Sequence, residues 1–178
     1  AQDILAHFET HLEMLDSKAM IVCMSHQICA DLYTQLVTIR PAWDSDQNDS
    51  GAVKVVMSDS ASDSQNLQLH IRNKARLKAL AQKFKDPNNA IRIVIVCDML
   101  LTGSDVPSLH TMYIDKLMHG HSLMQAIARV NRIFKDKLGG LFVDYLGIAT
   151  ELQEAIHQYT VQDYDKPTEF LEEAVLIM

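Results

Sequence analysis

The stretch Ile91-Arg92-Ile93-Val94-Ile95-Val96 decides the fold class of this chain. It is a short run of β-branched residues, and β-branched side chains favour extended strands. Comparable apolar runs occur at Met20–Met24, Val53–Met57, Thr111–Asp115 and Leu141–Tyr145. Each run is nearly continuous rather than strictly alternating, which is typical of strands that are buried on both faces of a parallel sheet.

Segments with helical periodicity lie between these strands. We expect helices over residues 2–16, 26–39, 66–85, 122–133 and 148–159, and again from Pro167 onward. Strands that alternate with helices predict an α/β domain, with a mostly parallel sheet covered by helices on both faces. Ligands of such sheets bind beyond the carboxyl ends of the strands, so the loops after Met24, Val96 and Asp115 are the expected ligand side.

Length and composition indicate a single globular domain. The chain has 178 residues, of which 48% are hydrophobic and 22% charged, an ordinary balance for a folded domain. No apolar run approaches the ~20 residues of a membrane span. The net charge of −7 argues against an autonomous tight DNA binder, because such domains are usually basic on one face. Because the chain opens directly in helical periodicity, without Met, we expect a piece of a longer protein.

The cysteines carry information about the compartment. Cys23, Cys29 and Cys97 lie in apolar segments and lack the spacing of a zinc site. We therefore expect buried, reduced thiols and a cytoplasmic protein.

The segment Gln125-Ala126-Ile127-Ala128-Arg129-Val130-Asn131-Arg132 is the strongest candidate for chemistry. Arg129 and Arg132 are one helical turn apart and share a face with Gln125. Two guanidinium groups on one face can reach the same phosphate and stabilise charge on a γ-phosphoryl group during transfer. A solvated helix face with routine salt bridges is the alternative for an isolated pair of arginines.

Two polar segments that follow strands are further candidates. The loop Asp98–Pro107 has the glycine and polar residues of a tight turn whose backbone N–H groups approach a phosphate. A plain strand-to-helix connection is the alternative for it. Ser25 and His26 follow the first strand, where small donors can contact a nucleic-acid phosphate. Capping of the following helix is the alternative for Ser25, and it is the one that we favour.

Other polar features are ambiguous or point away from a site. A basic run in the helix predicted over residues 66–85 fits either a phosphate track or a solvated face; it comprises Arg72, Lys74, Arg76, Lys78, Lys83 and Lys85. His7 and His11 lack a third ligand and are expected to be surface residues. Asp16-Ser17-Lys18 matches half of a nuclease signature and is interpreted as a turn. The sequence has no G-x-x-x-x-G-K-S/T phosphate loop.

Taken in order, six segments resemble the second helicase lobe of the restriction (R, motor) subunit of type I restriction–modification enzymes, a branch of the superfamily 2 helicases. They are Lys18–Ser25, Ile71–Arg76, Leu101–Pro107, His110–Lys116, Gln125–Arg132 and Gly140–Tyr145. The resemblance covers residues 1–160 and implies a RecA-like three-layer domain. Residues 161–178 are expected to form a helical extension toward the next domain.

The resemblance also implies an activity, that of an ATP-driven translocase of double-stranded DNA that acts as an endonuclease through a separate nuclease domain. ATP and Mg²⁺ would be held mainly by a first RecA-like lobe of the same subunit, so this fragment alone is expected to be inactive. Methyltransferase and specificity subunits are the implied partners, and no membrane is involved. By resemblance the catalytic residues are Gln125, Arg129 and Arg132, the nucleotide-binding residues Gly103 and Asp105, and the DNA-binding residues Ser25, His26 and Thr102.

Two other classes of function stay open. A non-catalytic RecA-like α/β module that binds proteins is suggested by Ser104, where this branch tends to have an aromatic residue, and by His26, where Arg is common. Such a module predicts an obstructed arginine face. A small-molecule or nucleotide-binding α/β protein has less support, because no glycine-rich turn marks a dinucleotide site.

Overall fold

The structure, a computed structural model, describes residues 1–14, 17–45, 50–57, 67–97, 106–118, 120–130, 140–147 and 176–177. The strands in these ranges are β1 (Lys18–Cys23), β2 (Val53–Val56), β3 (Ile93–Val96), β4 (Leu109–Asp115), β5 (Leu141–Asp144) and β6 (Leu176–Ile177). The helices are α1 (Gln2–Met14), α2 (His26–Ile39), α3 (Lys74–Lys85) and α4 (Gly120–Val130), with a 3₁₀ turn at Pro41–Trp43.

The strands form one sheet in the order β2-β3-β1-β4-β5-β6, and every pairing between them is parallel. Parallel neighbours need crossover connections, which here contain the helices. The central strand β1 is buried along its entire length, and so are β2 and β3. The α/β class and the parallel sheet predicted from the apolar runs are therefore confirmed.

Helices cover both faces of the sheet. One core cluster joins α3 and α4 to side chains of β1 such as Met20 and Val22. The other joins α1 and α2 to the alternate residues of the same strand, Ala19 and Ile21. The alternation places successive side chains of one strand in different cores, which is why both faces must be apolar.

The helix predicted over residues 66–85 begins later than expected. Asn73 has an extended backbone and its side-chain Oδ1 accepts a hydrogen bond from the N–H of Arg76, 2.9 Å away, so α3 starts at Lys74. Ile71 forms a parallel bridge with Met57 instead of joining the helix. The prediction was wrong over 67–73, because a capping side chain and a strand-like pairing interrupt the periodicity, and residue 66 lies outside the described residues.

The C-terminal segment departs from the expected helical extension at two residues. Leu176 and Ile177 form β6, which pairs with Phe142 and Val143 of β5. The rest of that extension, and the helix predicted over 148–159, lie outside the described residues.

Lys18 is a buried charged residue whose ammonium group has partners at the end of a helix. Lys18 is fully buried; its Nζ donates to the carbonyl oxygen of Asp86 at 2.5 Å and lies 5.3 Å from the centroid of the Phe84 ring. Its ammonium group therefore ties the start of β1 to the end of α3. This engagement gives Lys18 a structural role, as the interpretation of Asp16-Ser17-Lys18 as a turn expects; Asp16 itself lies outside the described residues.

Cys23, Cys29 and Cys97 are buried thiols that form no disulfide bond, as predicted. Within the described ranges no helix is both long and apolar enough to cross a membrane.

Candidate functional site

The direction of α4 decides where the predicted catalytic residues lie. We call the ends of the strands at Cys23, Asp115 and Asp144 the carboxyl edge of the sheet, and their beginnings the amino edge. Helix α4 starts shortly after β4 ends, at the carboxyl edge. Its last residue, Val130, contacts Gly140 just before β5: a Cβ added to Gly140 would lie 2.4 Å from the Val130 carbonyl oxygen. Helix α4 therefore runs back along the sheet and ends at the amino edge.

Arg129 lies in the last turn of α4 and so belongs to the amino edge. Leu123, Ala126 and Val130 are fully buried against the sheet, whereas Gln125 and Arg129 are half-buried. Because the segment is helical, Gln125 and Arg129 share a face, as predicted. A cation in this turn also interacts favourably with the negative end of the helix dipole. Arg132 lies outside the described residues.

The end of the predicted nucleotide-binding loop reaches the same edge. The N–H of Leu109 donates to the Val106 carbonyl oxygen and that of Lys18 to the Ser108 carbonyl oxygen, both at 3.0 Å. Val106 is buried in the core cluster that contains Val130. The chain therefore arrives at the amino edge directly after Asp105. Thr102, Gly103 and Asp105 themselves lie outside the described residues.

Ser25 and His26 lie at the opposite, carboxyl edge. The Ser25 hydroxyl oxygen accepts a hydrogen bond from the N–H of Ile28 at 3.2 Å, so Ser25 caps α2, the structural role foreseen for it. Both Ser25 and His26 are half-buried. Helix α2 has no acidic residue in its first turn, where a carboxylate would interact favourably with the positive end of the helix dipole.

The structure thus separates the two sets of predicted residues. Arg129 and Gln125 lie on a helix that ends at the amino edge, and Ser25 and His26 lie beyond the carboxyl end of β1. Ser25 and His26 follow the rule that ligands of parallel sheets bind beyond the carboxyl ends of the strands, whereas Arg129 does not. The reason is the length of α4: 11 residues, at about 1.5 Å each, are enough to cross the sheet.

The sequence analysis did not predict a polar cluster that lies toward the carboxyl edge. The Tyr113 hydroxyl lies 2.8 Å from Nδ1 of His7, and the Tyr145 hydroxyl donates to the Asp3 carboxylate. The two tyrosine rings stack with centroids 6.4 Å apart, and burial is the main reason that the pKa of each phenol is raised. The expectation that His7 is simply a surface residue was wrong, because α1 folds it onto β4. No local pattern indicates contacts between residues so far apart in the chain.

The basic run of residues 72–85 divides into two parts. The Arg72 guanidinium donates to the carbonyl oxygens of Val55, at 2.8 Å, and His70, at 2.9 Å. Its burial lowers the pKa of Arg72. Arg72 therefore has a structural role: its hydrogen bonds link β2 to the segment that precedes α3. The remaining basic side chains lie on α3, exposed at Lys74, Arg76 and Lys78 and half-buried at Lys83 and Lys85.

Metal-binding geometry is not found in the part of the chain that the structure describes: it contains no group of three or more His, Cys, Asp or Glu side chains placed to hold an ion. The cationic Arg129 fits the phosphates of a nucleotide rather than its metal ion.

A parallel sheet between two helix layers, in this strand order, makes the chain a RecA-like domain. The structure superposes on a fragment of an HsdR subunit of a type I restriction enzyme from Vibrio vulnificus, with a TM-score of 0.56 and 18% identity, covering 96% of this chain and 29% of that one. It also superposes on domain 2 of the DEAD-box helicase Mss116p bound to an RNA duplex, with a TM-score of 0.50 and 17% identity, covering 86% of this chain and 54% of that one.

Sequence comparison identifies the family. The model of type I restriction enzyme subunit R domain 3 matches residues 41–146. The chain is 53% identical over 163 residues to the type I restriction enzyme HindI endonuclease subunit of Haemophilus influenzae, covering 90% of this chain and 16% of that protein. It is 47% identical over 161 residues to a protein of Methanocaldococcus jannaschii described as the type I restriction enzyme MjaIXP endonuclease subunit, covering 90% of this chain and 15% of that protein.

This chain belongs to the family of type I restriction enzyme R subunits, of which it is a RecA-like helicase lobe. It spans only 15–16% of the length of these two relatives.

Proposed function

We propose that this chain is the second RecA-like lobe of an ATP-driven translocase of double-stranded DNA, the cytoplasmic R subunit of a type I restriction enzyme. Arg129, together with Arg132, contacts the γ-phosphate of an ATP molecule that the first lobe of the same subunit holds with Mg²⁺. The observation that supports this most is the position of Arg129: it is half-buried at the amino edge, next to the point where the loop carrying Gly103 and Asp105 ends.

The chemistry required of Arg129 is electrostatic. A guanidinium is permanently charged and presents a planar fork of donors, which matches the oxygens of a phosphoryl group. Supplied from a second lobe, such a group stabilises the charge that develops during transfer and is worth ~10³–10⁵ in rate. Orientation of the attacking water is the role proposed for Gln125, one turn earlier on α4. The chain has no phosphate loop of its own, so the lobe alone is expected to be inactive.

DNA is proposed to bind at the other edge. Ser25 and His26 lie at the start of α2, and a helix N-terminus with no acidic residue in its own first turn favours a phosphate. Thr102 would contribute from the loop after β3. Contacts to phosphate fix position but carry no sequence information. Recognition of the target sequence is therefore assigned to the specificity and methyltransferase subunits, and cleavage to a separate nuclease domain.

Replacement of Arg129 tests the proposal. In the full-length R subunit, Arg129→Ala should lower DNA-stimulated ATP hydrolysis by ~10³-fold or more, since the charge on the transferred group loses its partner. Binding of ATP should change little, because the first lobe holds the nucleotide. Turnover and the Kd for ATP are measured on the same preparation, by phosphate release and by fluorescence of a labelled nucleotide.

Arg40 provides a matched control for that experiment. It follows the end of α2 and is held by Glu9, with Nε and Oε1 2.6 Å apart. Arg40→Ala removes an equal charge without touching α4 and should leave hydrolysis near the unsubstituted rate. Wild-type turnover in Arg129→Ala, or an equal loss in both variants, would contradict the role assigned to Arg129.

The non-catalytic interaction module remains the second candidate, and one observation separates the two. Such a module predicts that the arginine face is obstructed, whereas Arg129 keeps partial exposure to solvent on α4. This exposure favours the translocase.

A further inference from the structure

Two buried serines are neighbours at the amino edge. Lys18 of β1 pairs with Leu109 of β4, and the irregularity in the register of these two strands comes after Lys18. Ser17 and Ser108 each precede this pair by one residue, and the Lys18 N–H donates to the Ser108 carbonyl oxygen at 3.0 Å. Neighbouring strands are about 4.8 Å apart, so the Cα atoms of the two serines are separated by about that distance.

The hydroxyl groups of these serines are buried. Ser17 is 6% exposed and Ser108 is 2% exposed. Neither hydroxyl oxygen has a hydrogen-bond partner among the described residues, so the two do not bond each other. The hydroxyls of Ser45 and Ser50, in contrast, bond each other directly. Buried polar groups in folded proteins nearly always have a partner, protein or water, because an unpaired one is unfavourable.

The spacing of the two serines suits one bridging water molecule. Side chains alternate along a strand, so residues that are opposite each other in neighbouring strands point to the same side of the sheet. A water that bonds two groups at about 2.8 Å each, in a tetrahedral arrangement, spans roughly 4.5 Å between them. That span is close to the separation of the strands. Each hydroxyl both donates and accepts, so the pair supplies the two partners that a buried water needs.

Ser108 lies where the predicted nucleotide-binding loop enters the sheet. The loop Asp98–Pro107 ends one residue before it. The N–H of Leu109 donates to the Val106 carbonyl oxygen at 3.0 Å, so Ser108 belongs to the turn that leads into β4. Ser17 directly precedes the central strand β1, which is buried along its length. A group that joins the two hydroxyls therefore fixes the end of the loop to the central strand.

We propose that one buried water molecule bridges the Ser17 and Ser108 hydroxyls, and that the two serines are positioning residues for the loop that carries Gly103 and Asp105. The water itself follows from the pairing of β1 with β4. Its effect on ATP rests on the proposed function, in which that loop binds the nucleotide. The two serines contact neither ATP nor DNA and act only through the loop.

Hydrogen exchange in the full-length R subunit tests the water. The N–H groups of Lys18 and Leu109 both bond at this place, so their exchange measures how often it opens. Ser17→Ala and Ser108→Ala each remove a bond to the water and should make both amides exchange about fivefold faster, measured by mass spectrometry of the peptides that contain them. If the hydroxyls had no partner at all, alanine would remove an unfavourable buried group and exchange would slow. Slower or unchanged exchange in both variants overturns the proposal.

The double variant tests whether the hydroxyls share one water. Because either substitution already breaks the bridge, Ser17→Ala with Ser108→Ala should accelerate exchange by less than the product of the two single effects. An acceleration equal to that product would mean that each hydroxyl has its own partner. Ser50→Ala is the matched control, since it removes a hydroxyl beside β2 and should leave the amides of Lys18 and Leu109 unchanged. Equal acceleration in this control would contradict a local effect.

A crystal structure of the full-length subunit gives the direct observation. At a resolution that shows ordered water, we expect density within about 3 Å of both hydroxyl oxygens, and its loss in the double variant. A direct bond between the hydroxyls of Ser17 and Ser108, or a separate partner for each, overturns the proposal.

The kinetics of ATP hydrolysis test the positioning role. Ser17 lies outside the loop, yet Ser17→Ala should raise the KM for ATP several-fold, as Ser108→Ala does, with a smaller effect on kcat. A purely structural loss would lower the amount of active subunit, and so kcat, without changing KM. Unchanged KM in both variants overturns the positioning role. Arg129→Ala is expected to lower kcat instead, so the role of Arg129 can fail while the exchange and KM results stand.

Discussion

Lys18 and Arg72 show how the surroundings of a cation define a structural role. Lys18 and Arg72 donate to backbone carbonyl oxygens at the ends of strands and helices. Such cations compensate their burial by satisfying acceptors, and removing one leaves those acceptors unpaired. Arg129 is half-buried in the last turn of α4, to about the same degree as Arg72. A cation that approaches a ligand needs this partial exposure.

Variants of Ser25 separate helix capping from contact with DNA. Asn and Asp both supply a capping oxygen, so Ser25→Asn and Ser25→Asp should leave the free energy of unfolding unchanged. Ser25→Ala should lower it by ~1 kcal/mol. Ser25→Asp places a negative charge where a phosphate is proposed. We expect the full-length subunit to bind DNA about tenfold more weakly with Asp than with Asn at low salt, measured by fluorescence anisotropy. Equal affinities would show that the start of α2 lies away from DNA.

His70 predicts a dependence of stability on pH. Burial, with the nearby Arg72 charge, lowers the pKa of the imidazole below its ordinary value. The unfolded chain therefore binds a proton first, so the contribution of neutral His70 is complete above pH ~6.5 and is lost as the pH falls below it. His70→Phe keeps a ring against Tyr33, whose centroid is 4.8 Å away, but cannot titrate. Its free energy of unfolding, measured with urea, should fall less than that of the unsubstituted protein between pH 7.5 and 5.5. Parallel decreases in both proteins would contradict this.

At the scale of elements, the periodicity of the sequence predicts those strands and helices that have a clear local hydrophobic pattern. The runs around Ile21, Val55 and Ile95 are strands within two residues of the expected bounds, because burial on both faces requires continuous apolar side chains. The start of α3 was predicted wrongly, because hydrophobicity does not distinguish a capping residue such as Asn73 from a polar residue within the helix. Strand β6 was missed because two residues carry no pattern, and pairing with β5 alone defines it.

Asn73 provides the test at this scale. Asn73→Ala removes the acceptor for the N–H of Arg76 and should lower the free energy of unfolding by ~1 kcal/mol. Asn73→Asp keeps the acceptor, adds a charge that favours a helix N-terminus, and should be at least as stable as the unsubstituted protein. Urea unfolding of the three proteins measures both effects. Equal stabilities of the Ala and Asp variants would show that the cap contributes nothing.

At the scale of the whole molecule, the sequence predicts which candidate residues share a helix face but not which edge of the sheet they reach. Helical spacing alone places Gln125 and Arg129 on one face. Which edge of the sheet they reach depends on the length of α4 relative to the strands and on the contact of Val130 with Gly140. That contact brings together parts of the chain that no local pattern relates.

Gly140 links the packing of the domain to the position of Arg129. A Cβ there would lie 2.2 Å from Val130 Cγ1 and 2.4 Å from its carbonyl oxygen, so backbone must move. We expect Gly140→Ala to destabilise the domain by ~1–3 kcal/mol. By shifting the last turn of α4 it should also lower DNA-stimulated ATP hydrolysis per folded subunit.

Gly147→Ala is the control for that variant. Gly147 has φ +74° and nothing within 4 Å of an added Cβ, so the substitution strains the backbone by ~1–2 kcal/mol and leaves α4 in place. Its hydrolysis per folded subunit should match the unsubstituted protein. If hydrolysis is also unchanged in Gly140→Ala, the position of the end of α4 does not affect ATP hydrolysis.

The separation of Arg129 from Ser25 has a mechanical consequence. The 6 residues of β1, at about 3.3 Å each, put roughly 20 Å of close-packed sheet between the two edges. A close-packed interior transmits displacement with little compression. The domain would then behave as a rigid lever, and tilting it by about 10° around a pivot at the amino edge would carry the far end some ~3.5 Å, close to the ~3.4 Å rise of one base pair. The stride of such a motor would be set by the length of its strands.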